Sequence, residues 1–456
     1  MDLLRKKRKI NLILASTLKK ILLHSNSGVF MKLDIKLVKE NIGKEVEIGG
    51  FVHEFRNLGK LKFVLLRDWT GKIQITAKKG VVPDDVFNAI DVNKEEAVIV
   101  KGKVVENKIA PNGIEIIPSY FKVVGRVYKK LPVDPTGVVK SELDTRLNYR
   151  FLDLRKPEVS AIFKVKSKLI TGFREYLLSK GFVEIHPTVI VAAATEGGAD
   201  VFPIQYFEHK AFLAQSPQLY KQMAVVGGLE KVFMTMPVFR AEKHNTTTHL
   251  NEIIQMDIEM AFVNDKEAMD MLSSTFLAIL KHVEKDESLR ELNPDFEVPK
   301  EVKRYTYTEI VELLNENNVK MEWGEDFTKE QENKISELLN EEAFIIHEWP
   351  TKTRAFYSMP KKGDEEVCLA YDLMYKGLEI SSGAQRIHIP ELLEEQLRKR
   401  GLKPENFDFY IEAFRYGAPP HAGWSIGLER LTMKVLNLNN IREAMLFPRD
   451  RTRIYP

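Results

Sequence analysis

The chain has 456 residues, enough for two or three domains with sizeable cores. Lys and Arg number 68 against 65 acidic residues, a formal net charge of +3, so any nucleic-acid footprint must come from a local patch. The single cysteine, Cys368, excludes a disulfide framework and a cysteine-based zinc site. No apolar run approaches a membrane span, and the expectation is a soluble, cytoplasmic protein.

Residues 1–30 stand apart, with Arg5, Lys6, Lys7, Arg8, Lys9, Lys19 and Lys20 against one acid, Asp2. Lys19 and Lys20 interrupt the apolar stretch and no small-residue cleavage site follows, which argues against a secretory signal. Two readings stay open: a basic arm adding non-specific RNA affinity, or translation starting at Met31, where an ordinary domain begins.

From residue 45 to about 126 the pattern is β. "EVEIGGFV", "LKFVLLRD", "KIQITAKK", "EAVIVKGKVV" and "IEIIPSYFKVVG" are short strands, with turns at Asp68–Gly71 and Asn112-Gly113 and a short helix near Pro83–Ile90. This predicts a five-stranded Greek-key barrel of the OB type over 31–130. Bases and aromatics alternate along its first hairpin, "GFVHEFRNLGKLKFVLLRD", with His53 in mid-strand. Prolines and mixed charge over 131–157 then predict a hinge rather than an element.

After Pro157 the apolar spacing of Val159, Ile162, Phe163, Leu169, Ile170, Phe173 and Leu177 predicts a helix stopped at Gly181, followed by the strand "FVEIHPTVI". Strands dominate beyond it, with amphipathic helices at 266–285, 307–317, 329–341, 390–400 and 405–416. The expectation for 158–456 is an α+β domain: a mostly antiparallel sheet flanked by helices, with a charged insertion at about 290–350.

Three stretches combine polar residues in ways a core would not favour. In "FRAEKHNTTTHLNE", Arg240 and Glu242 alternate on one strand and face one side; an exposed hairpin with an ion pair fits as well. In "AYDLMYKGLEISSGAQR", Asp372 and Glu379 can reach one magnesium ion with Ser382 beside them, or merely pair with cations such as Arg386 at a surface. In "HAGWSIGLER" a Gly-rich turn is expected to run into a helix bearing Arg430.

Together these stretches resemble the class II aminoacyl-tRNA synthetases, specifically the archaeal-type aspartyl-tRNA synthetases of subclass IIb. The likeness runs from about residue 40 to the closing "FPRDRTRIYP". The unit 158–190 is similar to motif 1, "FRAE" to motif 2 and "GLER" to motif 3. The resemblance implies that 158–456 is catalytic and forms a homodimer through motif 1. It implies that L-aspartate attacks the α-phosphate of ATP and that the aspartyl group then passes to tRNA. Arg240 would clamp the α-phosphate and substrate carboxylate, Glu242 the adenine amino group, and His249 and Arg430 the γ-phosphate. Asp372 and Glu379, with Ser382, would hold Mg2+. Glu196, Ser216, Gln218 and Asp257 would surround the α-ammonium. Lys221 and Arg386 would grip the side-chain carboxylate, so that asparagine would leave two cations without a counter-charge.

In the barrel, the resemblance implies that Phe63 and Gln74 read the central anticodon base and that Glu115 is a further base-reading position. Relatives restricted to tRNA-Asp resemble one another in a tryptophan-like residue at position 53 and a lysine at 111. His53 and Pro111 therefore imply an enzyme that also charges tRNA-Asn, which differs in the third anticodon base. The sequence departs from the family at Pro187, Thr248, Ala384 and Ser425. Competing readings are an asparaginyl-tRNA synthetase, a synthetase-derived asparagine-forming ligase, and an RNA-binding protein with a decayed catalytic domain. The decayed domain predicts loss of Arg240, Asp372, Glu379 or Arg430, and all four are present.

Overall fold

The structure is a computed structural model and describes residues 32–192, 200–243 and 245–456. The chain forms two compact units with the boundary between Val139 and Lys140.

The first unit is a closed barrel of strand order β1-β2-β3-β5-β4: β1 Glu45–Asn57, β2 Leu61–Arg67, β3 Lys72–Lys78, β4 Ala97–Glu106 and β5 Ile114–Gly125. Alternation sends Val64 and Leu66 of β2, and Ile73 and Ile75 of β3, into the core. Phe63, Leu65 and Gln74, which alternate with them, face out. The short helix α1, Asp84–Ala89, buries Val86 and Phe87 against this core. The buried Lys62 ammonium donates to the Phe87 and Ile90 carbonyls at 2.9 and 2.8 Å, satisfying the end of α1. The Asp68 carboxylate accepts from the backbone N–H of Thr70 and Gly71, which closes the β2–β3 turn.

The segment expected as a hinge is partly helical. α2, Leu143–Asn148, and α3, Arg150–Asp153, belong to the second unit, where Arg150 is fully buried. It donates to Asp153 and to the carbonyls of Glu443, Met445 and Leu446. Those long-range partners, invisible to local pattern, order the segment.

α4, Pro157–Ser179, lays its apolar stripe into the main core, where Phe173 meets Phe233 and Trp424 edge-on. That face is thus consumed inside the chain. Little of "FVEIHPTVI" is strand: only β6, Val183–Glu184, and β7, Ile190–Val191. β9, His209–Leu213, pairs with β7 on one side and with β8, Pro203–Tyr206, on the other in a small sheet. Helix α5 is Gln218–Val226, followed by β10, Lys231–Phe239, and β11, Glu252–Ala261. The helices α6, Asp265–Val283, and α7, Glu287–Leu292, come next.

Residues 290–350, expected as an insertion, supply two strands of the main sheet: β12, Lys303–Thr306, and β13, Ala343–Pro350. Between them lie α8, Tyr307–Glu316, and α9, Lys329–Leu339, each opened by a capping box. β14, Pro360–Lys361, β15, Asp364–Tyr375, and β16, Glu379–Gln385, lead to helices α10, Pro390–Lys399, and α11, Asp408–Arg415. "HAGWSIG" is not a turn but the strand β17, His421–Gly427, running into α12, Leu428–Val435. Its extended backbone suits Ser425, and Gly423 is needed for close approach: a Cβ there would lie 2.3 Å from a Glu259 oxygen.

The main sheet follows the order β12-β13-β15-β16-β17-β11-β10-β6 and is mostly antiparallel, with β14 beside β15. Register aligns Asp257, Ser425, Ser382 and Asp372 across four adjacent strands, a polar row on one face. Among the described residues no helix is long and apolar enough to cross a membrane.

Candidate active site and nucleic-acid interface

Two adjoining cavities lie over this polar row, sharing Arg240, Gln255, Ser382 and Ser425. The first holds Glu242, His249, Glu379 and Arg430; the second holds Ser216, Gln218, Lys221, Asp257, Arg354 and Arg386.

Arg240 and Glu242 lie just beyond β10, not within a regular strand. Pairing nevertheless continues through Arg240, whose N–H donates to the Asn251 carbonyl at 2.9 Å, and the Asn251 amide holds the Arg240 and Glu242 carbonyls. Their side chains do share a side, 3.9 Å apart. Arg430 of α12 donates to the Glu379 carbonyl and reaches His249 Nε2 at 3.2 Å. A guanidinium only donates, so Nε2 accepts and Nδ1 carries the proton, donating to the Thr246 hydroxyl at 2.7 Å. Burial first, then the Arg430 charge, lowers the His249 pKa and keeps the imidazole neutral. Thr248, where the sequence departs from the family, is the second hydroxyl beside Nδ1.

Of the three residues expected to hold magnesium, Glu379 and Ser382 face the first cavity and Asp372 does not. Arg354, stacked 3.7 Å over the Trp349 ring, takes the Asp372 carboxylate at 2.5 and 3.3 Å. Burial raises that carboxyl to about 7 against the pull of Arg354. Among the described residues no group of three His, Cys, Asp or Glu side chains is arranged to hold a metal. The donors fit an ion that arrives with phosphates and binds one carboxylate and a hydroxyl, not a preformed all-protein site.

In the second cavity, the Lys221 ammonium lies 2.7 Å from Asp257 and 3.5 Å from Glu259. Arg386 is held by Glu259 at 3.0 and 3.3 Å and donates to the Gly423 carbonyl. The expectation that these two cations stand without counter-charge is therefore corrected: β11 carries an acid for each, two residues apart on one face. Ser425 donates to the other Asp257 oxygen, and Gln218 donates to Gln222, which in turn meets His421. Glu196 lies outside the described residues. Sequence reasoning missed Glu259 and Arg354; the period-two spacing of "MDIE" was the available signal for the first.

On the barrel, Phe63, Gln74 and Pro111 share one exposed groove with Glu54, Arg56 and Ile109. Glu115 stands behind Gln74, accepting from its amide at 2.9 Å. His53 is not in that groove. It is the extra residue of a β-bulge between Val52 and Glu54, which aims its ring at Arg67 and Lys72, both 3.0 Å away. Burial, then Lys72 and Arg67, lowers its pKa.

Residues 142–451 match the family described as tRNA synthetases class II (D, K and N), and residues 46–124 match the OB-fold nucleic acid binding domain. The chain is 49% identical over 429 residues to the Aspartate--tRNA(Asp/Asn) ligase of Methanocaldococcus jannaschii, covering 93% of this chain and 97% of that one. It is 46% identical over 430 residues to the Aspartate--tRNA(Asp) ligase of Pyrococcus furiosus, covering 92% and 98%. The crystal structure of asparaginyl-tRNA synthetase from Pyrococcus horikoshii, complexed with asparaginyl-adenylate, superposes with a TM-score of 0.88 at 32% identity, covering 94% and 100%. With an OB-type barrel ahead of a sheet that carries both cavities, the chain belongs to the class II tRNA synthetases.

Proposed function

We propose that the chain is an aspartate–tRNA ligase that charges both tRNA-Asp and tRNA-Asn, acting as a cytoplasmic homodimer. The observation that carries the amino-acid assignment is the charge facing the second cavity. Lys221, Arg240, Arg354 and Arg386 line it with one carboxylate, Asp257, among the described residues, while Glu259 and Asp372, which pair with three of these cations, stand behind the lining. That balance suits a substrate with two carboxylates and one ammonium, and asparagine offers one negative charge fewer. The first cavity takes ATP, and Arg240 stands where the two substrates meet.

The attacking α-carboxylate is already ionised, so the first step needs no general base. A carboxylate oxygen bonds to the α-phosphorus, the bond to the β-phosphate oxygen breaks, and pyrophosphate leaves. Arg240 neutralises charge at the reacting phosphate, Glu242 holds the adenine amino group, and His249 with Arg430 orients the γ-phosphate. Mg2+ held by Glu379 and Ser382 would neutralise phosphate charge. Asp257, Ser216 and Gln218, with Glu196, receive the ammonium while Lys221 and Arg386 receive the side-chain carboxylate. A terminal ribose hydroxyl of tRNA then attacks the aspartyl carbonyl and AMP leaves.

Phe63 and Gln74 stack on and hydrogen-bond the central anticodon base, with Glu115 orienting Gln74. Acceptance of tRNA-Asn rests on His53 and Pro111, and relatives with both specificities lie at similar identity. The homodimer is supported by the exposed apolar side chains Phe151, Val183, Ile190, Leu446 and Phe447. ATP–pyrophosphate exchange with aspartate and with asparagine tests the amino acid; exchange with asparagine alone sinks the assignment. Parallel aspartylation of tRNA-Asp and tRNA-Asn transcripts tests the breadth, and a preference for tRNA-Asp of about a hundredfold, on the order of 3 kcal/mol, would exclude it.

A further inference from the structure

The turn that delivers Glu379 to the first cavity is gripped by two helices. Tyr375 and Leu378 exchange backbone hydrogen bonds around Lys376 and Gly377, whose φ values of 48° and 69° are both left-handed, as a two-residue hairpin turn requires. A non-glycine residue at such a φ is strained, and surrounding contacts must hold it. α12 supplies Arg430 and Lys434, four residues apart on one face. Arg430 donates to the Glu379 carbonyl at 2.9 Å and Lys434 to the Lys376 carbonyl at 2.7 Å. α9 supplies Lys329 and Asn333, again four apart. Lys329 donates to the Gly377 carbonyl at 3.0 Å, and Asn333 packs so closely that a Cβ on Gly377 would lie 2.7 Å from its Oδ1. Three cations thus converge on the carbonyls of residues 376, 377 and 379. Two of them, Lys329 and Lys434, point at backbone rather than into the cavity.

We infer that Lys329 and Lys434 are positioning residues for nucleotide binding, fixing the turn so that Glu379 meets the phosphates and their cation. This gives the 290–350 segment a role at the site, and it rests on the assignment of the first cavity to ATP. Equilibrium binding of a non-hydrolysable ATP analogue, with Mg2+ and in EDTA, tests it on wild type, Lys329→Met, Lys434→Met and Lys329→Arg. Each methionine variant is expected to bind the Mg2+ complex about tenfold more weakly, as loss of one charged hydrogen bond implies. The loss is expected to be smaller in EDTA and restored by Lys329→Arg, with the thermal shift produced by aspartate unchanged. Wild-type affinity in both methionine variants would overturn the inference, as would a parallel loss of the aspartate shift. Failure of the wild type itself to bind the analogue would overturn the nucleotide assignment instead.

Discussion

Glu259 holds Arg386 through two hydrogen bonds, 3.0 and 3.3 Å, with both side chains buried in the floor of the amino-acid cavity. Burial pushes the Glu259 carboxyl up, but Arg386 and Lys221 pull it further down, so it is ionised. On the proposed assignment, aspartate would enter a lattice whose charges are already paired and would share Arg386 with Glu259. Glu259→Gln would strand buried positive charge, at a cost of about 3–5 kcal/mol, and lower the melting temperature. Aspartate would then supply the missing negative charge. The expected result is a larger aspartate-induced thermal shift in Glu259→Gln than in wild type, with little response to asparagine. A smaller shift would mean that Glu259 acts chiefly by orienting the guanidinium.

His249 is neutral in the free enzyme because it is buried and accepts a hydrogen bond from Arg430. Phosphates arriving beside it favour the imidazolium, so its pKa rises on nucleotide binding. Near pH 6.5, ATP binding by wild type is expected to take up more protons than binding by His249→Gln, and the difference vanishes by about pH 8. Calorimetry in buffers of different ionisation enthalpy reads this directly. Proton release by wild type relative to the variant would contradict it.

Much of this site was legible from local pattern, and the limits of that legibility are physical. Period-two alternation fixed the five barrel strands and left Phe63 and Gln74 on the outer face, because a one-residue slip would expose the core. Arg430, Glu379 and Ser382 were recognisable from their motifs and do line the first cavity. Asp372, expected beside Glu379 at the metal, is held by Arg354, a partner that comes from a segment with no periodic signal. The Arg386–Glu259 pair spans 127 residues of sequence, and no local rule reaches that far. The bulge that re-aims His53 is equally hidden, since one unpaired residue leaves the hydrophobic alternation around it intact.

Phe63 faces a groove on the barrel rather than its core, which leaves its ring available for a base. Phe63→Ala is expected to remove about 1–3 kcal/mol of stacking, raising KM for tRNA by roughly 5- to 150-fold. ATP–pyrophosphate exchange in the absence of tRNA is expected to stay at the wild-type rate. An equal loss in both assays would assign Phe63 to folding of the chain rather than to RNA.

Arg442 ties the loop after Glu242 to the C-terminal tail. It donates to Asp450 at 2.7 Å, to the Thr246 carbonyl at 3.0 Å and to Asn245 at 2.5 Å, while Ile441 donates its N–H to the Thr247 carbonyl. Burial alone would raise the Asp450 carboxyl, but Arg442 and the N–H groups of Thr452 and Arg453 bring it from 3.8 down to about 2. A depressed carboxyl contributes stability that is complete above its unfolded pKa and is lost as pH falls through the folded one. Asp450→Asn is therefore expected to be less stable than wild type at pH 7, with a gap that narrows from about pH 4 towards pH 2. Thermal midpoints across that range measure it, and a constant gap would exclude the ion pair as the cause. The same substitution frees one end of the loop that carries Thr246 and His249. KM for ATP should accordingly rise at pH 7 while KM for aspartate holds.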